Sequence, residues 1–437
     1  MPDLEQLSVI LHEMITKESV IFISYPSNVD STTCAKLVLK LTISSPSGRS
    51  VAINLNPDNT LIMLKLCEAL NKFKSTPILG HNLKTIFTFY ARITGKPLVL
   101  NNVFDLLWYE TFLRLESSID SKDMAISNFK KWIVDKNLMG LYKKVYQPLI
   151  CKTLPSIESF PLCDENIGQL AFANYHINGQ ENGRLSCSCN GKRCYNPHSL
   201  GVEKEHLKLH KFGDIFFQYD YKNMEVAVLA TLSKDKLLNE ITHSDEDVYE
   251  SIFYKVTGLS KHDDARILGK KMFLPVIYGQ SSNGLAKSLD ISTDQSQIYC
   301  NKMQELFPAA FGFVESYQSS VKNHGSIIDV FGRKRSLPAE EAYKARNFAI
   351  QSPAALICLE SLVKLDDGGA TNYKMAFHVH DGYYLACKTK DMQDVYYHAK
   401  KILENTSEFM SDLKLRVSVK VGKALHKMTS LDKKVKT

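Results

Sequence analysis

Residues 214–232 read DIFFQYDYKNMEVAVLATL. The aromatic and β-branched run from Ile215 to Tyr219 predicts a strand, the strand ends on Asp220, and from Val226 the apolar residues start a helix. A second acid is presented in the same way 161 residues later. There Phe377-His378-Val379-His380-Asp381 lies inside KMAFHVHDGYYLACK (residues 374–388), a stretch patterned as a hairpin. Two strand-end carboxylates can share one metal site. Two divalent ions about 3.5–4 Å apart then activate an attacking oxygen and stabilise a leaving one in phosphoryl transfer. Each acid alone has an ordinary explanation as a turn or cap residue, so neither decides the chemistry by itself.

Around this stretch the composition is that of a globular protein. The chain has 437 residues, 44% hydrophobic and 23% charged, which excludes a disordered scaffold, a fibrous repeat and a single small module. Its longest apolar runs, Val20-Ile21-Phe22-Ile23 and Ala354-Ala355-Leu356-Ile357-Cys358-Leu359, fall far short of the roughly 18 residues of a membrane span. Asp3 and Glu5 precede any apolar stretch, so neither a secretory leader nor a membrane partner is expected. The expected compartment is the cytoplasm of a bacterium or an infected host cell, with the 10 cysteines as reduced thiols. A net charge of +7 permits a polyanionic partner without requiring one.

Residues 20–54 alternate short β-rich runs with turn signals such as Ser45-Pro46-Ser47-Gly48 and predict two or three strands. Helical spacing at 60–73 and 82–94 flanks a strand-like PILG, so residues 1–112 form a predicted α/β domain. From 113 to 180 the pattern is helical, carries Lys130, Lys131, Lys136, Lys143 and Lys144, and is broken by Pro148, Pro155 and Pro161. Helices are predicted over 246–362, and LKLRVSVKV (residues 413–421) adds a strand.

Between the two acids lies Arg266-x-x-x-Lys270-x-x-x-Leu274-x-x-x-Tyr278-Gly279, whose spacing of four lines up the cations and the aromatic on one helix face. Such a stripe can meet a triphosphate and a base, or can be a solvated amphipathic face. Motif order decides between them. Gly183-Arg184-Leu185-Ser186, Asp220-Tyr221-x-x-x-Glu225, the Arg266 helix, Phe331-Gly332-Arg333-Lys334-Arg335-x-Leu-Pro338, Asn347-x-x-x-Gln351 and His380-Asp381 follow one another. In that order they resemble the motifs of family A DNA polymerases, over about residues 176–422.

The resemblance implies an α/β multidomain (α+β) fold. A degenerate ribonuclease-H-like, exonuclease-type domain (1–112) and a short helical thumb or spacer (113–180) would precede a right-hand polymerase domain (181–437) with a palm and with fingers at about 257–350. It implies a template-directed DNA polymerase, a nucleotidyltransferase in which a primer 3′-OH attacks a deoxynucleoside triphosphate with two Mg2+ ions, Mn2+ being able to substitute. Asp220 and Asp381 match the catalytic, metal-binding aspartates, with the backbone carbonyl of Tyr221 as a further ligand. Arg266 and Lys270 match the cations that hold the triphosphate. Leu274 falls where the nucleotide sugar packs, Tyr278 at the templating position, and Glu225 at the steric gate against a ribose 2′-OH. Arg184, Arg333, Arg335, Asn347, Gln351 and His380 match positions on primer-template DNA, His380 near the primer terminus.

This chain departs from the family pattern at several points. Leu274 replaces the usual Phe or Tyr, Pro275 follows where a small residue is usual and is expected to kink the helix, and Gly382 replaces the second acid of an HDE motif. Cys187, Cys189, Cys194 and His198 are zinc-ligand types, but Cys-x-Cys is poor structural-zinc spacing and the family holds no zinc there. Gly80-His81-Asn82-Leu83-Lys84 matches an exonuclease motif. The strand VIFISYPS, however, lacks Asp-x-Glu, Ile86 stands where an aspartate would be, and Asp105 reads as a helix cap, so proofreading is not expected. A short thumb leaves Lys130, Lys131, Lys143 and Lys144 as phosphate contacts and leaves grip to a processivity or replisome partner. Leu274, Pro275 and Gly382 also support a rival from another class: a polymerase-like protein that binds primer-template DNA with weak or no catalysis.

Overall fold

A computed structural model of the chain describes residues 21–24, 39–45, 47, 50–55, 77–98, 100, 102–113, 129, 135–165, 169–189, 194–199, 207–209, 213–367, 372–405 and 407–431. The predicted helix at 60–73, and Lys130 and Lys131, lie outside these residues. Two compact units divide the chain: Met1–Asp220 with Cys358–Ile402 and Ser418–Thr437, and Tyr221–Ile357 with Leu403–Val417.

The first unit begins with a five-stranded sheet of order β3-β2-β1-β4-β5: β1 Ile21–Ser24, β2 Leu39–Ser44, β3 Ser50–Leu55, β4 Ile78–Gly80 and β5 Val103–Asp105. The β-rich runs of residues 20–54 pair antiparallel, and β4 and β5 continue from β1 in parallel. A parallel pair needs a crossover, and the Lys84–Thr94 helix supplies it between β4 and β5. A helical run then goes from Lys136 through two i→i+5 turns, Tyr142–Tyr146 and Leu149–Thr153, to Leu154–Glu158. Pro148 and Pro155 were expected to break it and do not: each lies two residues past an i→i+5 turn, where the wider winding has already departed from the regular i→i+4 ladder. Trp108 anchors the run, packing on Tyr142 and Tyr146 with ring centroids 4.8 Å away in each case.

Glu158 joins three segments. Its buried carboxylate accepts from Lys84 Nζ, Thr88 Oγ1 and the N–H of Tyr175, each at 2.6 Å, and its main-chain oxygen accepts from Arg92. Tyr175 Oη in turn donates to the His378 carbonyl (2.7 Å) and accepts from its N–H (2.8 Å). The predicted helical character of 113–180 ends with this run, since strands follow: β6 Leu162–Asp164 pairs with β7 Gln169–Ala171, and β8 Tyr175–His176 pairs with β9 Ser186–Cys187. β10, Leu207–Leu209, completes the β10-β6-β7 sheet.

A second five-stranded sheet, β14-β15-β11-β16-β17, holds both sequence-singled acids. Its strands are β11 Ile215–Tyr221, β14 Tyr373–Val379, β15 Gly382–Cys387, β16 Val417–Gly422 and β17 Thr429–Ser430; β12 Ser326–Ile328 and β13 Lys334–Ser336 form a separate hairpin. The Lys344–Asp367 helix is long and apolar enough to cross a membrane, yet 89% of its most apolar window is buried in the protein, as befits a core helix. In the second unit, Met224–Ser233, Lys236–His243, Val248–Thr257, Ala265–Ile277, Ser282–Leu289, Thr293–Leu306 and Pro308–His324 are helices. Four of these seven starts carry side-chain caps, at Asp235, Asp247, Ser281 and Ser292.

Candidate active site

Asp220 lies near the end of β11, and Asp381 sits in the turn between β14 and β15. In the antiparallel register of β11 and β15, Asp220 lies opposite Gly382, the neighbour of Asp381, so strand pairing carries the two acids to one end of the sheet. His380 and Asp381 form a two-residue turn closed by the Val379–Gly382 pair. His380 takes a φ of 55°, a left-handed conformation that costs a non-glycine residue about 1–2 kcal/mol. A Cβ at Gly382 would stand 3.2 Å from the Val379 carbonyl and 3.4 Å from Asp220 Oδ1. A side chain here would therefore start close against the Val379 carbonyl and in contact with Asp220.

The predicted DNA-contacting Arg184 belongs to the same neighbourhood. Burial pushes the thiol of Cys358 up, the charges of Asp381 and Asp220 push in the same direction, and the Arg184 guanidinium opposes them. Two imidazoles flank the turn. His378 is buried and pushed down to about 3, chiefly by burial, and His198 is pushed down to about 4 by burial and by the neighbouring His380, so both are neutral at pH 7. The His198 ring lies 4.9 Å from that of His380. Sequence reasoning weighed His198 only as a zinc-ligand type; its place beside the His380-Asp381 turn depends on packing. Among the described residues no three His, Cys, Asp or Glu side chains gather into a metal cage. Two carboxylates still fit Mg2+, which keeps several waters and takes its other ligands from substrate phosphates.

In the second unit the stripe of spacing four lies as predicted on the Ala265–Ile277 helix, with Tyr278 at its C-terminal end. The helix runs unbroken through Pro275, which falls in the last turn. Arg266 and Lys270 are exposed and Leu274 is buried. Arg266 Nε donates to Asp247 Oδ2 at 2.9 Å, whereas Lys270 has no ion-pair partner among the described residues. Tyr278 Oη donates to Glu225 Oε2 at 2.5 Å, joining the proposed templating aromatic to the proposed gate. Gly269 seats this helix on its neighbour: a Cβ there would stand 2.1 Å from the Tyr249 carbonyl, so only glycine lets the Val248–Thr257 helix approach so closely.

The other predicted contacts fare differently. Asn347 and Gln351 share one face of the Lys344–Asp367 helix, and Asn347 Oδ1 is buried without a hydrogen-bond partner among the described residues. Arg335 lies over the Phe348 ring. Arg333 is only 4% exposed, held in the turn where Asp329 accepts from its N–H, and this burial separates it from the accessible arginines. The expectation of reduced thiols is corrected at one place: Cys189 and Cys194 form a disulfide, their Cα atoms 5.3 Å apart across a short loop, which also removes two of the zinc-type ligands. Asp105 is the predicted cap and more. Its buried carboxylate accepts from the N–H groups of Asn82, Leu83, Leu107 and Trp108.

The sequence pattern of DNA polymerase family A matches residues 174–427, more than half of the chain. DNA polymerase I of Streptococcus pneumoniae is 28% identical over 211 residues, covering 44% of this chain and 24% of its own length. The DNA polymerase of Bacillus phage SP01 is 23% identical over 286 residues, covering 57% of this chain and 31% of its own length. The chain thus spans a quarter to a third of the length of these relatives. The POL domain of Pol1 from M. smegmatis, solved in complex with DNA primer-template and dNTP, shares the fold with a TM-score of 0.78 at 15% identity, over 97% of this chain and 98% of that one. All six ordered motifs and both sheet-end aspartates fall inside the matched region, and on that match the chain belongs to DNA polymerase family A.

Proposed function

We propose that the chain is a template-directed DNA polymerase that adds deoxynucleotides to a primer 3′-OH. The observation that carries this is the β11–β15 register, which delivers Asp220 and Asp381 to one sheet end. Asp220, Asp381 and the main-chain carbonyl of Tyr221 would hold the divalent metal, Mg2+ or in substitution Mn2+. Bound there, it would polarise the phosphoryl oxygens and offset their developing charge. Arg266 and Lys270 bind the triphosphate, where charge-assisted contacts favour the transition state as well as the ground state. The bond from Tyr278 fixes the Glu225 carboxylate, which then occupies the space of a 2′-hydroxyl. Arg184, Arg335, Asn347, Gln351 and His380 contact the primer-template duplex. In this reading the β14-β15-β11-β16-β17 sheet is the palm, the helices of about 257–350 are the fingers, and the Lys136–Glu158 run belongs to a short thumb with Lys143 and Lys144 exposed on it. The antiparallel-then-parallel order of the first sheet supports a ribonuclease-H-like N-terminal domain.

Primer extension by the purified chain with Mg2+ and four deoxynucleotides is the test. Template-dependent extension is expected, and duplex binding with no extension would establish the binding-protein alternative instead. Two further outcomes follow from single residues. Glu225→Ala should raise use of ribonucleotides relative to deoxynucleotides by about 10–200-fold, the scale of shape discrimination in a pocket; a parent chain that already uses both sugars equally would refute the gate. No Mg2+-dependent 3′–5′ degradation of single-stranded DNA is expected, since the Asp105 oxygens are spent on four main-chain donors. Degradation abolished by Asp105→Asn would show that this carboxylate serves a metal after all.

A further inference from the structure

We propose that Asp247 is the resting counter-ion of Arg266 and that an incoming nucleoside triphosphate must displace it, which makes Asp247 a positioning residue that sets nucleotide affinity. The proposal rests on the polymerase reading above and deepens it. Of the two cations on the stripe, Lys270 stands without an ion-pair partner among the described residues, whereas Arg266 is held through Nε by one carboxylate oxygen of Asp247. The other oxygen caps the Val248–Thr257 helix, accepting from the N–H of Tyr249 at 3.0 Å and of Glu250 at 3.2 Å. The two helices do not need the ion pair to stay together, because Gly269 already seats one against the Tyr249 carbonyl. The pair is also open to solvent, with side-chain exposures of 53% for Arg266 and 29% for Asp247, so it is weak and reversible.

Release leaves no stranded charge. Asp247 keeps its two main-chain donors and the positive end of the helix, and the cavity of about 210 Å3 that it lines carries Lys222, Lys414 and Arg416 beside the acids Asp245 and Glu246, Arg416 being paired with Asp245. A triphosphate offers the guanidinium fork several oxygens and more charge than the single carboxylate oxygen it now meets, so exchange favours the nucleotide. The carboxylate nonetheless competes, and that competition lowers affinity in every binding event.

Asp247→Asn separates the two jobs of this residue, since asparagine caps a helix about as well as aspartate but carries no charge. Equilibrium binding of a deoxynucleoside triphosphate to the chain on a dideoxy-terminated primer-template, which needs no chemistry, should tighten by about two- to five-fold, the worth of an exposed ion pair. The gain should shrink as salt screens the pair in the parent, and Asp247→Glu should restore parental affinity. In single-turnover addition on an extendable primer, the change should appear in apparent nucleotide affinity and not in the saturating rate, a split that loss of fold would not produce. Unchanged or weaker binding in the Asn variant, or a loss confined to the saturating rate, overturns the proposal. Failure of the polymerase reading shows itself separately, as nucleotide binding by the parent without primer extension.

Discussion

Asp220→Asn and Asp381→Asn should each lower single-turnover nucleotide addition by at least about 10³-fold while leaving duplex binding close to parental. Each substitution takes a charged oxygen from the sheet end proposed to hold the metal, and a metal's charge stabilisation is worth several kcal/mol of the barrier, at about 1.4 kcal/mol per factor of ten. Asparagine is nearly isosteric, and both positions are half-buried at strand ends, so the β11–β15 register should survive. Neither carboxylate is a phosphate contact, which is why affinity for primer-template should persist. Rapid-quench addition and equilibrium duplex binding, measured on the same preparations, read the two effects apart. Addition by both variants at near the parental rate would refute the assignment of the catalytic pair.

The second large effect concerns stability. Lys84→Met leaves the Glu158 carboxylate buried without its cation, in a pair whose side chains are 4% and 0% exposed. Removing one partner of a buried ion pair costs about 3–5 kcal/mol, because the remaining charge stays desolvated. For a unit of this size each kcal/mol moves the melting temperature by about 2–4 °C, so a drop on the order of 10 °C is expected. Lys84→Met with Glu158→Gln together should recover part of the loss, as the stranded charge is then gone. A single variant melting within a degree or two of the parent would show that Thr88 and the Tyr175 N–H satisfy Glu158 without the lysine. The consequence reaches the sheet that carries Asp220. Glu158 orients Tyr175, and Tyr175 holds both main-chain groups of His378, three residues before Asp381. The Lys84–Thr94 helix is in this way tied to the strand that leads to Asp381, and that tie gives it a structural role.

Local pattern made much of this legible in advance. The strand ending on Asp220, the hairpin around His380-Asp381 and the helical stripe from Arg266 to Tyr278 all depend on periodicity and turn preference over a few residues, and all stand where the sequence put them. The role of Asp105 was equally local, since a carboxylate just before a helix finds free N–H groups wherever the helix goes. Pro148 and Pro155 misled because the cost of proline depends on the winding of the helix around it, and no short window reveals an i→i+5 turn.

By itself the sequence determined which side chains could do chemistry and in what order they occur. Only the tertiary structure decided their company. The β11–β15 register brings together acids 161 residues apart, Asp247 takes Arg266, Arg333 turns inward, Cys189 finds Cys194, and Lys84 is buried against Glu158. The physical reason is range. Strand and helix patterns are set by neighbours along the chain, whereas burial, ion pairing and strand register are set by segments that meet only when apolar surface leaves water, and a single sequence carries no local mark of which segments those will be.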